Sequence, residues 1–316
     1  MNQKTKSALI LLLVLCTILF CGCTEGGSEA PSSSDTSSAA ASGPPRDNTP
    51  NVRVPKADGD ISYGTNIVKI DASHTDQGYV MVRYSGSNPK VKLQIGTPDG
   101  NTYTYLLSQE KKYEAFPLSA GNGTYSLIVY ENVSGDMYST AFSQDITAEI
   151  KDEFLPFLYP NQYVWFTSDS KTVAKGSELV ANAHSDLEAV EAIYDYVIKN
   201  ISYDEAKASN VTYGYLPVVD ETLNSGTGIC FDYASLMAAM LRSQNIPTRL
   251  EVGYAGEAYH AWISTYLKEK GWVDGIIEFD GSSWTLMDPT FAASNSADAL
   301  QEYIGDGTNY QLKYSY

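Results

Sequence analysis

Beyond an N-terminal stretch holding Cys16, Cys21 and Cys23, the chain has one thiol, Cys230. It stands in Ser225-Gly226-Thr227-Gly228-Ile229-Cys230-Phe231-Asp232-Tyr233-Ala234, with Tyr259-His260-Ala261-Trp262 and Leu286-Met287-Asp288-Pro289-Thr290 downstream. A lone cysteine forms neither an internal disulfide nor a thiolate metal cage, which leaves nucleophilic chemistry as its distinctive use. Attack on an amide carbonyl needs three things of its surroundings. A base must take and return the thiol proton, and His260 suits that role. A carboxylate must fix the imidazole tautomer and steady its cation, which Asp288 can do from a neighbouring strand. Donors must meet the oxyanion, and backbone amides at a helix start serve.

The elements implied by the pattern put these groups in plausible places. Gly226 and Gly228 precede an apolar stripe of Tyr233, Leu236, Met237, Met240 and Leu241, and Asn245-Ile246-Pro247 supplies a stop, so a helix is predicted to begin at Cys230. The unpaired amides of its first turn carry partial positive charge and favour a thiolate. Asp232, in that first turn, reads as a dipole partner with a structural role, and Gly228 as room for a substrate chain. Period-two alternation then returns. Tyr259 to Leu267 reads as a strand with His260, Trp262, Ser264 and Tyr266 on one face, and Ile276–Phe279 with Trp284–Met287 as a hairpin leading into Asp288. Upstream, Ser185-Asp186-Leu187-Glu188 is a capping box opening an amphipathic helix that ends near Asn200.

Taken in order, Gly228-Ile229-Cys230-Phe231-Asp232-Tyr233-Ala234, Tyr259-His260-Ala261-Trp262 and Trp284-Thr285-Leu286-Met287-Asp288-Pro289-Thr290-Phe291 resemble the three motifs of the transglutaminase-like superfamily. The resemblance runs from about Leu179 to Phe291 and includes Asn200-Ile201-Ser202-Tyr203-Asp204 before the nucleophile. It implies an α+β, papain-like core with a triad of Cys230, His260 and Asp288. It transfers no oxyanion side chain, and Tyr203 is offered as one without support from a motif. Members of the superfamily pass the acyl group to water or to an amine, and others are silent scaffolds. With no calcium loop recognisable, hydrolysis of peptide or isopeptide bonds is the leading expectation. Protein cross-linking and a catalytically silent surface binding or scaffold protein are the alternatives. Neither a cofactor nor a metal is expected, because one thiol and three scattered histidines give no ligand spacing.

From about Asn51 to Asp152 the texture differs. Val80-Met81-Val82-Arg83-Tyr84, Val91-Lys92-Leu93-Gln94-Ile95 and Tyr125-Ser126-Leu127-Ile128-Val129-Tyr130 alternate, with Gly, Asn and Pro turns between them. An all-β, immunoglobulin-like sandwich is expected over 51–152, preceding the core at 153–316, and it carries no catalytic constellation. Phe154-Leu155-Pro156-Phe157-Leu158-Tyr159-Pro160 joins the two and is too apolar to be left in water, so it should pack across the junction.

The N-terminus resembles a lipoprotein signal peptide. Lys4 and Lys6 precede an apolar run from Ala8 to Phe20, and Gly22 precedes Cys23, the expected lipidation site after removal of 1–22. Acyl chains there add roughly 0.8 kcal/mol per buried methylene, which would hold the protein to the membrane, facing the exterior. Residues 23–50, rich in Ser, Ala, Gly, Pro and Thr, cannot bury enough surface to order and read as a tether. Losing the leader takes away two lysines and no acid, leaving 19 basic against 38 acidic residues. A surface so acidic repels nucleic acid. The expected partners are therefore the membrane, through lipid, and a peptide or protein substrate at the cell envelope.

Overall fold

A computed structural model describes residues 46–268, 270–273, 277–279, 284–286 and 310–316. Between Ser62 and Ala148 run β1 (Ser62–Gly64), β2 (Val68–Asp71), β3 (Tyr79–Tyr84), β4 (Val91–Gly96), β5 (Thr102–Leu106), β6 (Glu114–Pro117), β7 (Gly123–Ser134) and β8 (Met137–Ala148). They form two antiparallel sheets, ordered β1-β2-β3-β6 and β5-β4-β7-β8. Alternation decides which side chains face inward: in β4, Val91, Leu93 and Ile95 are buried while Lys92 and Gln94 are half-exposed. Tyr105 of β5 meets Phe116 of β6 edge to face at 4.8 Å, closing one sheet on the other.

The second half contains α1 (Lys171–Leu179), α2 (Asp186–Asn200), β9 (Ser202–Tyr203), α3 (Glu205–Asn210), α4 (Val219–Ser225), β10 (Thr227–Gly228) and α5 (Cys230–Ser243). The strands β11 (Thr248–Ala255), β12 (Ala258–Leu267), β13 (Gly271–Val273), β14 (Ile277–Phe279), β15 (Trp284–Leu286) and β16 (Tyr310–Ser315) follow. An antiparallel sheet ordered β13-β12-β11-β16 backs α5, and β14 pairs with β15 as a hairpin. The helix starts and stops follow their signals. The Ser185 hydroxyl accepts from Glu188 N at 3.2 Å, while the Glu188 carboxylate reaches past it to His184 N at 2.8 Å. Asn245 adopts φ +59° just after α5, and Ile246 N returns to Leu241 O at 3.1 Å.

Leu236, Met237, Met240 and Leu241 of α5 are fully buried, and each such side chain contributes about 1.5–3 kcal/mol relative to exposure. Gly176 allows α1 to approach this helix closely, since a Cβ there would lie 3.4 Å from the Met240 side chain. The buried residues of the β half and of the helical half fall into one continuous cluster, with Leu93 and Leu127 alongside Val190 and Met240. The aromatic connector lies between them: Tyr159 packs on Tyr79 of β3 at 4.7 Å, and Phe154 on Tyr266 of β12 at 4.2 Å. Arg242, with no solvent exposure, ties the junction by donating to the carbonyls of Thr248, Tyr159 and Tyr316 at 2.9, 2.9 and 2.7 Å. Burial alone draws its guanidinium down to about 9, still charged at neutral pH. No helix among the described residues is long and apolar enough to cross a membrane.

Candidate active site

Cys230 is the first residue of α5, half-exposed, with Ile229 as an extended N-cap at φ −97°, ψ 174°. The head of the helix is fixed by Asp232, which is fully buried. One carboxylate oxygen accepts Ile229 N at 2.8 Å and the Lys207 ammonium at 2.7 Å, and the other accepts the Tyr215 hydroxyl. Lys207 also donates to Tyr215 at 2.6 Å, so a cation, a phenol and a carboxylate close a triangle behind the nucleophile. Burial raises the Tyr215 pKa to about 12, helped by the acceptor Asp232. Burial tends to lower that of Lys207, but the bonds to Asp232 and Tyr215 outweigh it and the ammonium is held above its ordinary 10.5.

Gly228 serves this arrangement. A Cβ at this buried position would lie 2.7 Å from Asp232 Cβ, so the glycine makes room for the capping carboxylate. Its carbonyl accepts Asp204 N at 2.9 Å, and the parallel pairing of β9 with β10 sets Tyr203 beside Gly228.

His260 comes from β12, opposite Gly253 of β11, and is 8 % exposed. Its ring stacks toward Trp262 at 6.4 Å. Trp262 is locked in turn, since its Nε1 donates to Glu251 Oε2 at 2.8 Å and the Ser264 hydroxyl donates to the same oxygen at 2.6 Å. Alternation thus aligns His260, Trp262 and Ser264 on a rigid, buried face. Gly253 allows β16 to lie close, because a Cβ there would sit 2.0 Å from Gln311 O.

Cys230 and His260 line one cavity of about 360 Å³. Tyr203 lines it too, as do Phe231, Tyr259 and Tyr316. The segment Val211–Leu216 forms one wall, and Thr104 and Leu106 of β5 reach it from the β half. Asp288 and Cys23 lie outside the described residues, Asp288 two positions past Leu286, the end of β15. Among the described residues no group of three or more His, Cys, Asp or Glu could hold a metal ion.

A thiol thus heads a buried helix, an imidazole stands on the adjacent sheet, and the two share a cavity. Residues 173–275 match the transglutaminase-like superfamily. Cys230 and His260 both fall inside the matched stretch, within a mixed α/β chain rich in strands. The chain is 28 % identical over 156 residues to the kyphoscoliosis peptidase of Mus musculus, covering 43 % of this chain and 23 % of the relative. It therefore spans about a quarter of the length of that curated relative. Among solved structures, a candidate cysteine protease from Cytophaga hutchinsonii aligns over 81 % of this chain and 73 % of its own, with TM-score 0.39 and 16 % identity. Red sea bream transglutaminase aligns over 67 % and 48 %, with TM-score 0.27 and 14 % identity.

Lys207, Tyr215, Thr104 and Leu106 are site neighbours that the motifs did not reveal. Tyr215 and Lys207 lie 17 and 25 residues from Asp232, beyond any helical or strand periodicity. The available signal was the first-turn carboxylate itself, which, once buried, demands a donor.

Proposed function

We propose that this chain is a thiol acyl-transfer enzyme that hydrolyses peptide or isopeptide bonds at the outer face of a membrane. The observation that carries the reading is that Cys230, at the head of α5, lines the same cavity as His260. In the proposed reaction the Cys230 thiol gives its proton to His260 as Sγ bonds to the substrate carbonyl carbon. The oxyanion is met by amides of the first helical turn, where Cys230 N has no intrahelical acceptor because of its position. His260 then protonates the leaving nitrogen, the C–N bond breaks, and a thioester remains. Water, deprotonated by His260, attacks that thioester; the acid departs and the thiol regains its proton. Asp288 is proposed to orient the imidazole, by its order in the sequence after the β14–β15 hairpin. Lipid on Cys23 is proposed to hold the protein at the membrane through the 23–50 tether. The β half is read as an immunoglobulin-like sandwich over 51–152, a reading favoured by the sheet β1-β2-β3-β6 meeting β5-β4-β7-β8 through Phe116 and Tyr105.

The test uses the full chain in detergent. Cell-envelope peptides are incubated with wild type and with Cys230→Ala, and products are read by mass spectrometry. New termini that disappear in the variant are expected; isopeptide mass shifts would instead establish cross-linking. In parallel, iodoacetamide labelling of Cys230 is followed across pH in wild type and His260→Ala. Superimposable labelling profiles, with no turnover of any peptide, would leave a silent scaffold in place of the enzyme.

A further inference from the structure

In a chain with 21 basic and 38 acidic residues, the cavity beside Cys230 is set apart by its lining: none of the described residues lining it is Asp, Glu, Lys or Arg. Its walls are aromatic, with Tyr163, Tyr203, Tyr215, Phe231, Tyr259 and Tyr316 contributing. We propose that this cavity selects acyl donors by an uncharged aromatic or large apolar side chain, so that the substrates are peptides joined through such residues. The proposal rests on the reading of Cys230 as the nucleophile and adds the substrate class to it.

Three physical points support it. First, a charged side chain entering the cavity would lose water without meeting an Asp, Glu, Lys or Arg side chain on its wall, whereas an apolar side chain gains from leaving water. The nearby charges of Lys207 and Asp232 are spent on each other. Second, the phenols remain neutral in use, because burial raises the pKa of Tyr163, Tyr259 and Tyr316 above the ordinary phenol value. Third, the walls are preformed. Tyr163 is held edge-on between Phe231 and Tyr316 at 5.3 and 4.6 Å, and Gly214, at φ +85°, lies so close to Leu106 that a Cβ would meet its methyl at 2.3 Å. A volume of about 360 Å³ falls at the small end of ligand pockets, which run from roughly 300 to 1,000 Å³ and suit a residue or two of a peptide.

The experiment uses the full chain in detergent and the aldehydes acetyl-Gly-X-H, with X being Phe, Leu, Glu or Lys. Protection of Cys230 from iodoacetamide, read by mass spectrometry, gives an inhibition constant for each. Phe and Leu are expected to bind at least ~100-fold more tightly than Glu and Lys. Equal protection by Glu or Lys would overturn the proposal and leave the nucleophile reading intact. The amides acetyl-Gly-X-NH2, titrated by tyrosine and tryptophan fluorescence into Cys230→Ala, test the cavity without the thiol. A Phe preference there, with no aldehyde protection in wild type, would sustain the cavity's selectivity and refute the nucleophile. Thr104→Asp, a half-exposed lining position, places a carboxylate at the wall and is expected to narrow the Phe-over-Lys ratio by ~10-fold or more. An unchanged ratio in a folded variant would show that the probes bind elsewhere.

Discussion

Replacing Lys207 by Met strips the ammonium from a carboxylate that water does not reach. Asp232 has no exposed surface, while the Lys207 side chain keeps 30 % of its own. Breaking a buried ion pair typically costs about 3–5 kcal/mol. Here Ile229 N and the Tyr215 hydroxyl still donate to the orphaned carboxylate, so the expected loss is roughly 2–3 kcal/mol. With a urea slope of about 2–3 kcal/mol per molar, that is a midpoint shift near 1 M. The sign with pH follows from the direction of the shift. Lys207 is held above its ordinary 10.5 in the fold, so its contribution is complete below 10.5 and fades as pH rises through the folded value. Tyr215, raised to about 12, acts in the same direction, since the fold favours its neutral form. Urea titrations followed by tryptophan fluorescence should therefore show wild type and Lys207→Met converging above pH 10.5. Lys207→Met combined with Asp232→Asn should lose less than the sum of the two single changes, by about 1 kcal/mol or more. A loss under ~0.5 kcal/mol at pH 7, or a gap unchanged at alkaline pH, would refute the pairing as a stabilising unit.

Gly228→Ala puts a Cβ 2.7 Å from Asp232 Cβ and should destabilise by about 1–3 kcal/mol, with slower peptide turnover, as read by urea titration and product analysis; a neutral effect would mean the cap is not needed. Arg242→Met leaves three carbonyls without their donor and should lower the thermal midpoint by roughly 10 °C, measured by circular dichroism. Gly253→Ala collides with Gln311 O and should speed hydrogen exchange at Leu250 and Tyr316, whose amides donate to each other's carbonyls at 3.0 and 2.8 Å. Cys230→Ser should leave thermal stability within about 1–2 °C of wild type while abolishing turnover, as measured by scanning calorimetry beside the peptide assay.

The local elements were legible because their signals are local. Gly226, Gly228 and Asn245 bracket α5, Ser185 and Glu188 open α2, and the alternation of Tyr259 to Leu267 gives β12. Elements with weak local signals were not. β8 runs Met137–Ala148 with mostly exposed or half-exposed side chains, so it shows no apolar alternation. α1 contains Gly176 and a short apolar stripe, and its helix is secured by packing on Met240, a contact invisible in sequence. Periodicity marks Leu93 and Leu127 as inward-facing, but it cannot say that they share a cluster with Met240. The same limit hid Thr104 and Leu106 from the site: an alternating strand reports its faces and not what lies across from them. Cys230 and His260 could be paired because motif order supplied the long-range information that pattern lacks. No comparable information pointed to Lys207 or Tyr215.

Asp232 links two parts of the site that sequence treats separately. Lys207 and Tyr215 bracket the residues Ala208 to Gly214, from which Ala208, Val211, Thr212, Tyr213 and Gly214 line the cavity. Both ends of that segment are bonded to one carboxylate, and the same carboxylate holds the amide immediately before Cys230. Closing a loop at its base with two strong bonds restricts the loop far more than either bond alone, since the entropy of closure is met once for both. The cavity wall and the helix head that carries Cys230 thus share an anchor, while Leu106 of β5 packs against the wall at Gly214. A displacement of the wall must either break a bond to a buried charge or pull on the Ile229 amide. The first removes a partner from a carboxylate with no solvent exposure, and Leu106 of β5 stands against the wall at Gly214, so the wall and the helix head are held by one buried group.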